Sequence, residues 1–422
     1  MSELRDKLQS LLARQGLMSG AEWRRKTEEL AQRRASGEFE IDRVVSGEVV
    51  GDANAGFFLV RTEFPLDTAH GNVTLGEALL ALPEHVALSA NDADLRDFAP
   101  ETAIFLDTET TGLAGGSGTV AFLVGAGYFD GAVFRLEQAF MRDFDDEEPM
   151  LRYLDGLFTG RDAVVTYNGK SFDIPLLRTR FIQNRMPFRL DAALQYDLLH
   201  AARRFWKRRL GDCGLTNIER EVLAVRRHGD VSSAEIPEIW LNYLRTRDAR
   251  ALEAVFYHHR MDILSLAALA GRLSQSLSLP QGTGFAHVED RLSLVRLHFL
   301  QKHYRDVTDH GRRLLEEEAE PAIRCECLYL MGMACKRLQQ WYDMEEAWTL
   351  LLTERPGDLV ARLELAKHLE HRARNLLEAE RLCAETVQFL ETRSTLGTDE
   401  LPLGLEDFRA RLERIRRKLG RE

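Results

Sequence analysis

A pair of carboxylates ends a short apolar run near residue 105. Ala103 to Leu106 predicts a buried strand, and Asp107 and Glu109 follow it at a spacing of i, i+2. Alternate residues of a strand project to the same side, so both carboxylates can point together from the strand's end. Two carboxylates this close repel each other unless a cation lies between them, and Mg²⁺ and Mn²⁺ prefer oxygen ligands. A functionless acidic turn has the same pattern, so the metal hypothesis depends on partners further along the chain.

A second acidic position follows another apolar run, Ala163–Tyr167. Asn168-Gly169 predicts a turn, and Asp173 stands at the start of a helix with Pro175 in its first turn. An N-cap aspartate explains Asp173 without any further function. The two interpretations are compatible, because a capping carboxylate can ligate a metal through its second oxygen.

A third acidic position interrupts a long helical pattern, Ala251–Leu273. Asp262 lies beside an otherwise apolar stripe, where a charge is costly unless it is paired or bound to metal. His258 is four residues earlier and therefore on the same helix face. An acid and a potential base one turn apart suit metal-assisted phosphodiester hydrolysis. An ion pair on a helix surface would give the same spacing.

The elements that must position these residues predict an α/β fold. Val120–Tyr128 and Val133–Phe140 read as strands joined by an Asp130-Gly131 turn, and with the strand ending at Asp107 they make an antiparallel meander. Asp145–Phe158 predicts a helix, and Ala163–Tyr167 predicts a fourth buried strand. We therefore expect a mixed sheet with helices packed on it.

The regions on either side have a different character. Residues 2–35 predict two charged helices, and residues 38–66 predict short strands and hairpins broken by glycines. Within the next segment, Leu75–Leu82 predicts a helix, and His70 is interpreted as a structural histidine rather than a reactive one.

Beyond a linker at residues 274–286, the chain reads as all-helical. Pro321 and Pro356 are 35 residues apart in the sequence. The second helices of three successive pairs are predicted to open at Tyr304, Tyr342 and Leu377. This resembles tetratricopeptide-type repeats, which stack into a concave surface that binds a partner.

Size, charge and cysteine usage bound the remaining possibilities. The 422 residues suffice for two or three domains, and the net charge of −11 by itself disfavours nucleic acid. Between Leu176 and His228, however, twelve Arg/Lys against five Asp/Glu give a basic stripe of +7, which could follow a phosphate backbone or simply be a solvated helix face. Five scattered cysteines, a polar N-terminus and the lack of a long apolar run predict a cytoplasmic protein without a membrane span.

Taken together, the acidic positions resemble the three motifs of the DEDD 3′–5′ exonucleases, which have a ribonuclease H-like fold. The matching segments are Asp107-Thr-Glu109-Thr-Thr-Gly, Asn168-x-x-x-Phe172-Asp173 and the late helix with Asp262. The chain is most similar to the bacterial YprB-like ribonuclease H-like group, through Tyr196-Asp197-Leu-Leu-His200 and the earlier His70-Gly71. The resemblance covers roughly residues 100 to 272.

The resemblance implies an enzyme, a metal-dependent DEDD-type 3′–5′ exonuclease with two Mg²⁺ or Mn²⁺ ions. Asp107, Glu109, Asp173 and Asp262 would be the metal ligands, and Glu109 would also position the attacking water. Hydrolysis of a single-stranded nucleic acid would release nucleoside 5′-monophosphates.

The expected proton acceptor departs from the family pattern. The family has a histidine five residues before the last aspartate or a tyrosine four residues before it, whereas this chain has Tyr257 and His258 at those places. We expect His258 to act, because neutral imidazole accepts a proton near neutral pH more readily than a phenol does.

Substrate contacts are expected from the motifs and from the basic stripe. The expected residues are Thr110, Asn168, Phe172, Arg203 and Arg204. The implied partners are single-stranded DNA or RNA and a protein bound by the helical repeats.

The expected domain order is a charged helical arm (1–36), a small strand-rich segment (37–98), a ribonuclease H-like exonuclease domain (99–273) and a tetratricopeptide-like repeat domain (287–422). Two alternatives remain, and the second of them uses the same residues. One is a non-catalytic ribonuclease H-like scaffold whose repeats bind a partner, and the other is a structure-selective endonuclease.

Overall fold

The computed structural model describes residue 25 and residues 37–51, 56–112, 118–395 and 404–421. The two charged helices predicted within residues 2–35 lie outside these residues, apart from Arg25. By contacts the chain divides into two units. One comprises the described residues up to Ala201 together with Cys213–Gln275, and the other comprises Ala202–Asp212 together with the described residues from Ser276 onward.

The first unit is built on a seven-stranded mixed sheet. Its order is β1-β2-β7-β6-β5-β8-β9, and a separate hairpin is formed by β3 and β4. The strands are β1 Glu48–Gly51, β2 Gly56–Pro65, β3 Ala69–His70, β4 Val73–Thr74, β5 Ala103–Thr110, β6 Ala121–Asp130, β7 Val133–Phe140, β8 Ala163–Thr166 and β9 Leu194–Asp197.

The pairing confirms the predicted meander and extends it on both sides. Strands β5, β6 and β7 pair antiparallel, and Asp130 opposite Val133 closes the predicted hairpin. On one side β2 pairs antiparallel with β7, so strands before residue 66 join the same sheet. On the other side β8 and β9 run parallel to β5. The short strand β9 had not been predicted, because Leu194–Asp197 has little apolar pattern of its own and is ordered by pairing with β8.

Helices pack on the sheet through apolar stripes. The helices of this region are α1 Ile41–Val44, α2 Pro83–Ala90, α3 Glu147–Phe158, α4 Asp173–Gln183, α5 Leu198–Leu210, α6 Leu215–Ile218, α7 Ile236–Thr246 and α8 Leu252–Ser278. The predicted helix at Leu75–Leu82 is a 3₁₀ helix over Leu75–Leu80. A hydrophobic core lies between the sheet and α7. Within it the Phe122 ring of β6 stacks on the Trp240 ring of α7, with the two ring centroids 4.8 Å apart.

The second unit is helical. Besides the C-terminal part of α5, it contains the helices α9 Val288–Leu300, α10 Tyr304–Leu315, α11 Pro321–Leu338, α12 Trp341–Glu354, α13 Leu359–His371, α14 Leu376–Thr395 and α15 Leu405–Lys418. Each helix contacts the next one in sequence. The predicted openings of the second helices at Tyr304, Tyr342 and Leu377 agree with α10, α12 and α14 to within one residue. The predicted fold class, a mixed sheet flanked by helices and followed by an all-α region, is therefore confirmed.

Within these helices, close packing depends on small residues. A Cβ at Gly332 would lie 2.6 Å from the Trp348 ring, so only glycine lets α11 and α12 approach to this distance. Among the described residues, no helix is both long enough and apolar enough to cross a bilayer.

Candidate active site

The first two carboxylates project from the C-terminal half of β5, in the middle of the sheet. Asp107 and Glu109 lie beyond the point where β5 pairs in parallel with β8, so the ends of both strands open toward the same edge. Asp173 follows β8 and begins α4. The Thr108 hydroxyl of β5 donates a hydrogen bond to the Asp173 carboxylate, which ties the second acidic position to the first.

Helix α8 brings in the fourth carboxylate, and a glycine of β6 allows it to approach. Gly125 pairs with Asp107, and a Cβ there would lie 2.1 Å from Ile263 Cδ1 and 2.4 Å from His259 Cε1. The fully buried His259 donates from Nε2 to the carbonyl oxygen of Asp107 at 3.1 Å. Its Nδ1 accepts a hydrogen bond of 3.1 Å from Gln138 of β7. The helix is thereby fixed against the strand that carries Asp107.

Asp262 and His258 lie one turn apart on α8 and face Glu109. His258 Nε2 is 3.3 Å from Asp262 Oδ2 and 4.0 Å from Glu109 Oε1. One ligand atom from each of these three residues lies within 4.8 Å of the others. The structure thus brings together Asp107, Glu109, Asp173, His258 and Asp262, which the sequence places as far as 155 residues apart.

Burial raises the pKa of three of the clustered carboxyl groups, and for Asp107 and Glu109 repulsion from neighbouring carboxylates raises it further. The pKa of Asp107 is raised well above its usual value by burial and by Asp262, Asp173 and Glu109. Burial and the charges of Asp262 and Asp173 raise the pKa of Glu109 to about 9. Burial likewise raises the pKa of Asp173 to about 6, against the opposing hydrogen bond from Thr108. Each of these groups resists becoming an anion next to the others.

The donor set fits hard divalent cations. Four carboxylates offer only oxygen atoms, which Mg²⁺ and Mn²⁺ prefer, and a bound cation would remove the repulsion that raises the pKa values. Asp107, Glu109, Asp173 and Asp262 are the residues that would hold such ions.

Comparison with known proteins agrees with this geometry. Residues 104–274 match the sequence model of the RNase_H superfamily. This part of the chain is a ribonuclease H-like domain. Over 370 residues the chain is also 26% identical to a protein of Bacillus subtilis (strain 168) named "Uncharacterized protein YprB", covering 86% of each. The superfamily indicates, in general terms, a nuclease that binds nucleic acid.

A buried arginine that sequence reasoning had assigned to the basic stripe enters the site of the ribonuclease H-like domain. Arg227 donates to the Asp262 carboxylate, and it forms two further bonds of 2.5 and 2.7 Å with Glu219. These anions stabilise the guanidinium and raise the pKa of Arg227 although burial opposes this. No local signal distinguishes Arg227 from the surface arginines around it, because its partners are supplied by α8 and by the turn at Glu219.

The Arg227–Glu219 pair continues into a buried hydrogen-bonded chain. Ser265 donates to Glu219 at 2.5 Å, and His70 Nε2 donates to Ser265 Oγ at 2.7 Å. Burial and the charge of Arg227 lower the pKa of His70 to about 4, so the ring is neutral. His70 therefore supports the site from a distance, in agreement with the structural role predicted for it.

Asp230 orients His258 and was also missed from the sequence. Its Oδ1 lies 2.9 Å from His258 Nδ1. If Nδ1 carries the proton and donates it to Asp230, Nε2 is left as an acceptor that faces Glu109 and Asp262. Ser233 Oγ lies 3.2 Å from the same Nε2. A lone aspartate in a polar loop gives no sequence signal of this role.

Tyr257 faces a different part of the domain. Its hydroxyl accepts a hydrogen bond from the backbone N–H of His228 at 3.3 Å. The ring lines a cleft of about 630 Å³, with Arg260 placed 5.6 Å from the ring centroid. Of the two candidate proton acceptors, His258 is the one whose ring nitrogen faces the carboxylates.

Of the predicted substrate residues, Thr110 ends β5, and Asn168 and Phe172 lie in the loop that leads into α4. The Thr110 hydroxyl donates to the Gly112 carbonyl, and Asn168 has a left-handed φ of 66° with its N–H donating to Asp197 at 2.8 Å. Phe172, directly before Asp173, leaves half of its surface exposed, at 50%. Asp197 thus anchors the loop that presents Asn168 and Phe172.

The basic stripe is largely ion-paired. Arg208 pairs with Glu326 at 2.7 Å and Arg209 with Asp290 at 3.0 Å, both within the helical unit. The paired members are Arg178, Arg180, Arg189, Arg208, Arg209, Arg220 and Arg227. Arg203 is exposed and Arg204 half-buried on α5, within the stretch that clusters with the helical unit. Their contact with substrate stays a prediction.

Proposed function

We propose that the protein is a metal-dependent 3′–5′ exonuclease that hydrolyses phosphodiester bonds of single-stranded DNA or RNA. The observation that carries the proposal is the convergence of four carboxylates from β5, α4 and α8 around a histidine oriented by Asp230. The exonuclease polarity and the two-ion site follow the DEDD resemblance of the motifs.

The four carboxylates would hold the cations. Divalent ions bound there supply Lewis-acid stabilisation of the charge that develops at the phosphoryl group and lower the pKa of water. The Arg227 guanidinium pairs with Asp262 and offsets part of its negative charge. The four carboxylates therefore repel each other less, while the cluster keeps a net negative charge. The closed network of Glu219, Ser265 and His70 holds Arg227 in that position.

His258 is proposed to accept the proton of the attacking water. Its Nε2 faces Glu109 and Asp262, and the Asp230 carboxylate stabilises the imidazolium that forms. Glu109 accepts a hydrogen bond from the same water and so orients it toward the phosphorus. Tyr257, whose hydroxyl is engaged by His228, is left out of this role.

Two surfaces of the same unit suit a single strand. Phe172 offers an exposed ring on which a base can stack. The 630 Å³ cleft lined by the Tyr257 ring is also lined by Arg61, Arg250 and Arg260, which suit phosphate groups. We propose this cleft as a path for the strand, with Arg260 as a phosphate contact.

The deciding experiment incubates end-labelled single-stranded RNA and DNA of equal sequence with the full chain and Mn²⁺. Stepwise shortening from the 3′ end, with nucleoside 5′-monophosphates as products, is expected, and the conservative Asp107→Asn variant should lose at least about 10³-fold in rate. No cleavage by the wild-type chain, or equal cleavage by Asp107→Asn, would contradict the proposal. A product ladder beginning at internal positions would favour endonuclease action.

The alternative is a non-catalytic scaffold for the helical unit. It predicts a protein that binds its partner equally well with and without the four carboxylates. The cluster argues against it, because raised pKa values mark carboxyl groups that destabilise the fold unless a cation is bound. We further propose that the helices from Val288 onward are tetratricopeptide-like and bind a protein partner, and that the five free cysteines reflect the cytosol.

A further inference from the structure

The turn between α9 and α10 gathers histidines and an aspartate that the proposed nuclease does not use. His298 lies in the last turn of α9, and His303 and Asp306 lie at the start of α10. One ligand atom from each of these three residues lies within 4.8 Å of the others. All three belong to the helical unit.

The cluster has an unsatisfied polar atom at its centre. His298 is buried, with 9% of its side chain exposed, and its Nδ1 has no hydrogen-bond partner among the described residues. That nitrogen is 3.9 Å from Asp306 Oδ2, too far for a hydrogen bond. The buried His259, by contrast, has both ring nitrogens hydrogen-bonded. A buried polar atom without a partner is costly, and a bound ligand would satisfy it.

Neighbouring rings hold His298 in place. His310 stacks on it with centroids 4.9 Å apart and planes 10° apart, and the ring centroid of His303 is 5.9 Å away. The turn at Gly282, which precedes α9, packs against the His310 ring of this stack, since a Cβ on Gly282 would lie 3.3 Å from His310 Nδ1. His298 is thus fixed, whereas Asp306, with 52% of its side chain exposed, can rotate.

We propose that His298, His303 and Asp306 bind a divalent transition-metal ion, such as Zn²⁺, that links the end of α9 to the first turn of α10. Two imidazoles and a carboxylate form a donor set that suits Zn²⁺ better than Mg²⁺, which prefers oxygen alone. Ligand atoms of a tetrahedral zinc site are about 3.3 Å apart, so rotation of Asp306 would bring its carboxylate from 3.9 Å to this spacing from His298 Nδ1. The ion would stabilise the helical hairpin on which the following helices stack.

The test counts Zn²⁺ ions bound to the full chain by isothermal titration in excess Mg²⁺. Relative to the wild-type chain, His303→Gln and Asp306→Asn should each lose one tight site and the Zn²⁺-dependent rise in the midpoint of thermal unfolding. The controls Asp309→Asn, on the same helix, and His371→Gln, an exposed histidine of the same unit, should keep both.

Because His303 and Asp306 are exposed, their substitution leaves the core intact, which circular dichroism checks. Unchanged Zn²⁺ stoichiometry in both variants would overturn the proposal, as would equal loss in the controls. The Glu109→Gln variant distinguishes Zn²⁺ bound at the carboxylate cluster from Zn²⁺ bound at the histidine site, because it removes only the former. The outcome does not depend on whether the protein cleaves nucleic acid.

Discussion

Asp230 Oδ1 lies 2.9 Å from His258 Nδ1, and we propose Asp230 as a positioning residue for the proton transfer. In Asp230→Asn the amide can hydrogen-bond Nδ1 without stabilising the imidazolium. We expect kcat to fall about 10- to 100-fold with little change in KM or Mn²⁺ affinity. Steady-state kinetics across pH should show the acidic limb of the rate profile shifted to lower pH as well. An equal loss in Asp94→Asn, an exposed aspartate, or a loss confined to Mn²⁺ affinity would contradict this role.

Glu109 illustrates the cost of assembling the site without cations. Its pKa is about 9 in the folded metal-free state and near 4.5 when unfolded, so its carboxyl group increasingly destabilises the fold as pH rises between these values. Glu109→Gln should therefore raise the free energy of unfolding in EDTA by about 1–3 kcal/mol, more at pH 8 than at pH 6, while abolishing cleavage. Urea unfolding measures this. A destabilised variant, or a gain independent of pH, would contradict the assignment.

Arg260 tests the proposed path of the strand. It lines the cleft and contacts the Tyr257 ring, and a phosphate there would gain from its charge. Arg260→Gln should raise KM severalfold without a matching loss of kcat and should reduce the slope of log affinity against log salt by about 1. Arg96→Gln, an exposed arginine of the Ala93–Asp97 turn, is the matched control. An unchanged salt slope would place the strand elsewhere.

Among the elements, α8 positions the site only because β6 carries glycine where the two cross. Gly125→Ala would put a methyl group into contact with Ile263 and His259, so α8 must move away from β5. We expect a loss of about 1–3 kcal/mol in unfolding free energy together with weaker Mn²⁺ binding. Gly156→Ala in α3, where the added atom meets nothing within 4 Å, should retain Mn²⁺ affinity. Unchanged Mn²⁺ affinity in Gly125→Ala would refute the geometric argument.

Across the whole molecule, the helical unit depends on one buried anion near its end. The Glu370 side chain on α13 is fully buried and is bound by Arg411, Arg414 and Lys418 of α15. These cations hold the pKa of Glu370 well below its usual value of 4.5. The stabilisation that these ion pairs give the folded state is therefore complete above pH 4.5 and is lost as the pH falls below 4.5.

Glu370→Gln should destabilise the helical unit at pH 7 by about 1–3 kcal/mol, since it leaves Arg411 in a poorly solvated place. Thermal unfolding followed by circular dichroism at pH 7 and pH 4 should show the difference between variant and wild type shrink at the lower pH. A difference that is constant with pH would mean that packing rather than charge is lost.

The sequence by itself determined the strand meander, the order of the acidic motifs and the openings of the second repeat helices. Each rests on short-range patterns: apolar runs, turn residues and helical spacing near Asp107, Asp173 and Tyr304. It also indicated which carboxylates could meet, because the strand and helix periods fix the face on which each side chain lies.

Only the tertiary structure decided how the site is completed. Arg227 reaches Asp262 across 35 residues and His259 reaches Asp107 across 152, while Asp230 acquires its role only when α8 passes beside its loop. The sequence does not distinguish Arg227 from the surface arginines near it, because burial and ion pairing are properties of the folded chain. Local sequence specifies backbone conformation, whereas the partners of a buried charge are fixed by the packing of segments distant in the chain.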